Sequence, residues 1–198
     1  MYNNHYSKNK QKCRDLIAKQ VSKFKGDVNV FTLPSTNFIL EENLSKKSSV
    51  SLYCAENNPY IYKQQRKHLI SKQVFLKKGD VFDVLNKSKE QFDVIWLDLC
   101  CTIRHDVLNR IIDLVQSNKL KTNSYLNITI SVARETHYEN MLRFYGAKSL
   151  DDFRNKVFPN LVIQFSESTG KKCKLLSTMN YKEKGHSIPM KMLTFKIN

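Results

Sequence analysis

Apolar positions along the chain alternate between a helical period and short strand-like runs. Over residues 7–24, Cys13, Leu16, Ile17, Val21 and Phe24 form one stripe with lysines opposite, the pattern of an amphipathic helix that Gly26 and Asp27 stop. VNVFTL (28–33) reads as a short buried strand ended by Pro34 and Ser35, and a helix over 36–47 turns Phe38, Ile39, Leu40 and Leu44 inward. VSLYCA (50–55) predicts a second strand. Pro59 suits the first turn of a helix over about 59–71, with Tyr60, Ile61, Gln64 and His68 at helical spacing. A third strand at 74–77 leads through a Gly-Asp turn into a short helix, and FDVIWLD (92–98) is the fourth strand. Residues 104–117 fit a helix through Val107, Leu108, Ile111, Ile112 and Val115, and SYLNITISVA (124–133) is a fifth strand. Helices over 136–145 and about 149–166 follow, then two strands, about 173–181 and 189–197, joined by KEKGHSIP.

Strands alternating with helices predict an α/β domain with a mostly parallel sheet, and the last two strands, with no helix between them, pair antiparallel at one end. No repeat or linker divides the chain, so residues 1–198 read as one domain, of which 1–27 form a basic helical extension. In such sheets a ligand binds beyond the carboxyl ends of the strands, where strand order reverses. Pro34 and Ser35 follow the first strand, Glu56 the second, Gly79 and Asp80 the third and Asp98 the fourth. An acid after strand two can accept both hydroxyl hydrogens of a ribose, and an aspartate after strand three can accept from an adenine amino group. Each acid taken alone is equally a helix cap or a solvated loop residue. The ordered set describes a pocket for an adenosine-containing ligand.

Charge adds a partner. The chain of 198 residues carries a formal net charge of +15. Residues 1–27 hold seven basic residues against two acids, and residues 171–198 hold seven against one. This points to a polyanion, above all nucleic acid, with Lys10, Lys12 and Lys19 on the first helix as phosphate contacts; a lysine-rich surface kept for solubility is the plainer alternative. The five cysteines lack zinc-type pairs and read as reduced thiols, and the scattered histidines indicate no metal. No apolar run approaches the length of a membrane span, and MYNNHYSKNKQK has no apolar stretch behind it, so an intracellular protein of cytoplasm or nucleus, without membrane contact, is expected.

Three segments, CAEN with Glu56, GDVFDVL with Gly79 and Asp80, and FDVIWLD with Asp98, together with the order of elements over residues 7–197, resemble the class I (Rossmann-like) S-adenosylmethionine-dependent methyltransferases. The resemblance implies a three-layer fold with a seven-stranded, mostly parallel sheet ending in an antiparallel β-hairpin, and S-adenosyl-L-methionine as cofactor. It implies that Glu56 holds the ribose, that Asp80 approaches the adenine, and that Asp98 faces both the cofactor methyl group and the acceptor. Gly79, Pro34 and Ser35 are cofactor-side candidates at the same strand ends. The sequence departs from the family at the first motif: the family is glycine-rich there, whereas VFTLPSTNFILEEN contains no glycine.

After strand four the family's amino-methylating branch has a D-P-P-aromatic segment, of which Asp98-Leu99-Cys100-Cys101 keeps the first residue alone. A cysteine three residues past the acid is similar to the D-A-P-C segment of RNA cytosine-5 methyltransferases, but their second cysteine has no counterpart in ITISVARE. Cys100 and Cys101 are candidate nucleophiles on that likeness, and two small apolar residues filling a strand-to-helix junction on the plainer reading. Arg134, after strand five, is placed to touch a phosphate or base. The expected function is methyl transfer to DNA or RNA. The alternative is a catalytically inactive subunit of the same fold that binds nucleic acid or a partner protein. The length leaves little room for a target-recognition domain, so sequence specificity is expected to be low or supplied by a protein partner.

Overall fold

The computed structural model describes residues 8–35, 37–69, 71–132, 138–182 and 188–198. The elements run α1 (Lys8–Val21), β1 (Val28–Thr32), α2 (Ile39–Leu44), β2 (Val50–Glu56), α3 (Pro59–Lys67), β3 (Val74–Lys78), α4 (Val81–Lys87), β4 (Phe92–Asp98), α5 (His105–Gln116), β5 (Leu120–Ser131), α6 (Glu139–Phe144), α7 (Leu150–Asp152), α8 (Phe158–Glu167), β6 (Cys173–Lys182) and β7 (Pro189–Ile197). They build one seven-stranded sheet in the order β3-β2-β1-β4-β5-β7-β6. β1 to β5 are parallel, while β7 pairs antiparallel with both β5 and β6. The α/β reading with its terminal hairpin therefore holds.

Alternation along the strands feeds two cores, one on each face of the sheet. Ile95 and Leu97 of β4 join a cluster with Phe82 and Leu85 of α4, Leu108 and Ile111 of α5 and Val162 of α8. Val94 and Trp96 face the other way, into a cluster with Cys13 and Ile17 of α1 and Leu40 and Leu44 of α2. A parallel strand covered on both faces needs a continuous apolar run, which is why FDVIWLD is so apolar.

Two differences from the sequence reading have physical causes. β5 begins at Leu120, not Ser124, because Leu120 pairs with Phe92 before an irregularity after which Tyr125 pairs with Val94. Asn123, at φ 64°, lies in the intervening stretch, whose polar residues break the alternation that marks a strand. The helix expected over 149–166 contains a π-helical turn, Phe153–Val157. Pro159, just beyond, has no N–H to donate into a regular α ladder.

The placement of α1 fixes one wall of the site. Gln20 and Asn127 of β5 exchange two side-chain hydrogen bonds, of 3.0 and 2.8 Å, and Thr194 of β7 donates to Asn127 at 2.9 Å. All three side chains are buried, so breaking one bond strands another polar group away from water. This lock sets how α1 lies across the sheet and carries Lys10 and Arg14, further back along the helix, to the carboxyl ends of the strands. No helix among the described residues is long and apolar enough to cross a membrane.

Candidate functional site

β1 has β2 on one side and β4 on the other, so the strand order reverses there and a crevice opens beyond the strand ends. A cavity of about 620 Å³ occupies it, within the roughly 300–1,000 Å³ of small-molecule sites. Pro34, Ser35, Glu56, Gly79, Asp80 and Asp98 all line it. The residues singled out at four separate strand ends thus meet in one place.

The first loop turns without glycine. Phe38 takes the left-handed conformation at φ 47°, and its N–H donates to Ser35 O at 3.1 Å. A bulky residue in that region is strained; here its ring is buried in the core beneath α2, which offsets the cost. Gln65 of α3, fully buried, donates from Nε2 to Pro34 O at 3.0 Å and pins the loop.

Glu56 closes β2. Its Oε1 accepts from the amide of Asn58 at 2.8 Å, and its own carbonyl accepts from Gly79 N at 3.0 Å, tying the second strand end to the third. Gly79 sits at φ 149°, where an added Cβ would lie 3.2 Å from Val84 Cγ2, so a side chain there is both strained and crowded. Asp80 caps α4: Oδ1 accepts from Phe82 N at 2.9 Å and Asp83 N at 3.4 Å. Arg110 of α5 reaches the same carboxylate and that of Asp83, with its guanidinium carbon 4.8 Å from the centre of the Phe82 ring.

Asp98 is held between two side chains. Lys10 Nζ lies 2.7 Å from its Oδ2, and Cys100 Sγ lies 3.4 Å from its Oδ1. Pairing with β5 continues past the strand, through Leu99 N to Thr129 O at 3.1 Å and Ser131 N to Cys101 O at 2.9 Å. Cys100 lies between these bonds, left-handed at φ 50° and exposed, whereas Cys101 is half-buried against the core. The reading of both thiols as packed apolar residues therefore applies to Cys101 and not to Cys100.

Sequence reasoning missed five charged side chains of the cavity, Arg14, Glu41, Arg104, Asp106 and Arg110. Glu41, in the first turn of α2, is 2% exposed and accepts from Thr32 Oγ1 at 3.2 Å. Burial pushes its carboxyl up to about 7, against the smaller opposing pull of the Thr32 bond and of the Arg14 and Lys10 charges. Arg14 is itself buried, and Arg110 bridges two acids. The available signal was an acid set within the inward-facing stripe of a helix, between Leu40 and Leu44. Of the residues expected on a nucleic-acid surface, Lys12 and Lys19 lie on α1 away from the cavity, Lys10 is turned into it, and Arg134 lies outside the described residues.

No family model and no curated protein sequence matches the chain. Solved structures do. Trm5b from Pyrococcus abyssi superposes with a TM-score of 0.63 at 13% identity, covering 98% of this chain and 50% of that one. TYW2 from P. horikoshii, in complex with MeSAdo, gives 0.61 at 11% identity, covering 98% and 65%. The N-methyltransferase NodS from Bradyrhizobium japonicum WM9, in complex with S-adenosyl-L-homocysteine, gives 0.60 at 10% identity, covering 98% and 90%. The chain thus spans half to two-thirds of the first two proteins and most of the third. Its fold is that of the class I methyltransferases.

Proposed function

We propose that the protein binds S-adenosylmethionine in the switch-point cavity and transfers its methyl group to a nucleic acid. The observation that carries this reading is the convergence of Glu56, Asp80 and Asp98, from the ends of β2, β3 and β4, on one cavity of about 620 Å³. The structures of NodS with S-adenosyl-L-homocysteine and of TYW2 with MeSAdo support the choice of ligand for this fold.

The residues fit such a ligand at its adenosine end. Glu56, oriented by the Asn58 amide, takes the ribose hydroxyl hydrogens. Asp80, held by the cap of α4 and by Arg110, takes the adenine edge. When bound, the cofactor supplies a methyl group on a positively charged sulfur. Asp98 orients the acceptor, and Lys10 holds that carboxylate in place at 2.7 Å. Pro34 and Ser35, on a loop braced by Gln65, stand where a glycine-rich turn would otherwise leave bare backbone.

A nucleic-acid acceptor accounts for the net charge of +15 and for the lysines that α1 turns away from the cavity. A protein partner would supply sequence specificity. An intracellular setting agrees with Cys54 and Cys173, which are buried free thiols. Two observations favour a second reading, a non-catalytic nucleic-acid-binding subunit: Lys10 already occupies Asp98, and the first loop has no glycine.

Calorimetry with S-adenosylmethionine and S-adenosylhomocysteine, followed by radiolabelled methyl transfer to total RNA and to DNA, tests the proposal. Binding with transfer to either acceptor is expected. Salt-sensitive nucleic-acid binding with no cofactor heat at high micromolar ligand would replace it with the non-catalytic reading.

A further inference from the structure

An aromatic row crosses the sheet on the α4 side and runs out to its edge. Phe92 and Phe31 are buried, with ring centres 5.4 Å apart, and Tyr53 packs edge-on to Phe92 at 5.4 Å. Tyr53 and Phe75 are directly paired across β2 and β3, and their rings stack at 5.0 Å with 25° between planes. β3 is the edge strand, so the row ends at Phe75, which is 43% exposed. A large ring left stacked on one partner and open to water is an unfinished stack.

A second cavity, of about 510 Å³, lies against this end of the row and is separate from the methyl-donor site. Tyr53 and Phe75 form its aromatic wall. Lys77 and Lys78 line it from the end of β3, and Lys87 and Lys89 from the end of α4 and just beyond. Glu90 is the single acid lining the cavity among the described residues. An exposed ring inside a cationic rim matches the two surfaces of an unpaired nucleotide, a flat base and a charged phosphate. Duplex does not satisfy it, since paired and stacked bases offer no free face.

We infer that this edge of the sheet is a platform for single-stranded nucleic acid, on which an unpaired base stacks on Phe75 and extends the Tyr53–Phe75 stack while Lys77, Lys78, Lys87 and Lys89 hold the flanking phosphates. The inference rests on the nucleic-acid part of the proposed function and not on methyl transfer. Lysines along an edge strand also keep sheets from pairing edge to edge. That role needs the lysines and is indifferent to Phe75, which makes Phe75 the discriminating residue.

The test is binding of a fluorescein-labelled oligothymidylate, and of a duplex of the same length, to the full chain at several salt concentrations. Phe75→Ala should weaken oligothymidylate binding by roughly 5- to 150-fold, the span that truncating a stacking aromatic corresponds to. Duplex binding, S-adenosylhomocysteine binding and the melting temperature should stay near the wild-type values, and Phe75→Tyr should restore single-strand affinity. Lys77→Gln with Lys87→Gln should lower the slope of log affinity against log salt by about 0.7 for each phosphate that is no longer neutralised. Wild-type protein that ignores both oligothymidylate and duplex at low salt would overturn the nucleic-acid reading and the platform together. Wild-type protein that binds duplex but ignores oligothymidylate, or oligothymidylate binding that survives Phe75→Ala unchanged, would overturn the platform alone.

Discussion

Lys10 Nζ stands 2.7 Å from Asp98 Oδ2, joining the N-terminal helix to the end of the fourth strand. The Asp98 side chain is 7% exposed and that of Lys10 is 24% exposed, so the pair is largely out of water. In that setting removal of one partner costs more than the pair contributes, because the remaining charge is left desolvated. Lys10→Met should lower stability by roughly 1–4 kcal/mol, between the values for exposed and buried pairs. Combining it with Asp98→Asn should recover most of that deficit. Urea unfolding of the two single variants and the double variant closes the cycle, and a double-variant deficit equal to the sum of the two single deficits would remove the coupling.

Glu41 makes stability depend on pH. Its folded carboxyl is raised to about 7 from an ordinary value of 4.5. Below pH 4.5 both folded and unfolded chains carry the proton, and the group contributes its full stability. Between pH 4.5 and 7 the unfolded chain releases the proton while the folded chain retains it, so stability falls as pH rises; above about 7 the decline is complete, at about 3 kcal/mol. Glu41→Gln keeps an oxygen for Thr32 Oγ1 and has no proton to release. Its stability relative to wild type should climb across that window, and parallel unfolding curves at about pH 5 and 7.5, either side of most of the transition, would contradict the assignment.

The strand-end acids were legible in the sequence because each stands where an apolar strand stops abruptly. The pattern VIWLD places Asp98 at a sheet edge on sequence alone, and the same reasoning places Glu56 and Asp80. Lys10, Glu41 and Arg110 were not legible in this way. They reach the cavity from helices, and which residue of a helix faces a crevice depends on how the helix lies across the sheet. For α1 that is decided by Gln20 meeting Asn127, residues 107 positions apart. Periodicity puts Lys10, three residues before Cys13 and seven before Ile17, on their stripe of the helix, but it could not tell that this end of the stripe meets Asp98. The exposure of Cys100 was hidden for a different reason: composition does not reveal a single left-handed residue between two ladder bonds.

Glu56 separates binding from stability. Its carboxylate makes one hydrogen bond, 2.8 Å long, to the exposed Asn58 amide, so little of the fold leans on it. Glu56→Ala should shift the melting temperature only slightly. On the proposed function two charge-assisted bonds to ribose hydroxyls would disappear with it, each worth about 1.5–3 kcal/mol before relaxation. Affinity for S-adenosylhomocysteine should therefore fall at least tenfold, as read by calorimetry. An unchanged affinity would detach Glu56 from the cofactor and with it the ordered reading of the strand ends.

Asp80 carries two duties that substitution can pull apart. As the cap of α4 it accepts from the Phe82 and Asp83 amides, a task asparagine performs about equally well. As an anion it holds Arg110, which also bridges Asp83. Asp80→Asn should therefore keep the helix cap and most of the stability, since an ion pair with both side chains over a third exposed contributes little. Asp80→Ala removes the cap as well and should cost about 1 kcal/mol more. With its oxygen on the cap, asparagine turns an NH2 group outward, which cannot accept from an adenine amino group, and it no longer anchors Arg110 on the cavity wall. S-adenosylhomocysteine affinity should therefore drop strongly in both Asp80→Asn and Asp80→Ala, and modestly in Arg110→Ala. If Asp80→Ala is destabilised while ligand affinity is untouched, the residue is a cap and nothing more, and the adenine end of the site must be sought elsewhere in the cavity.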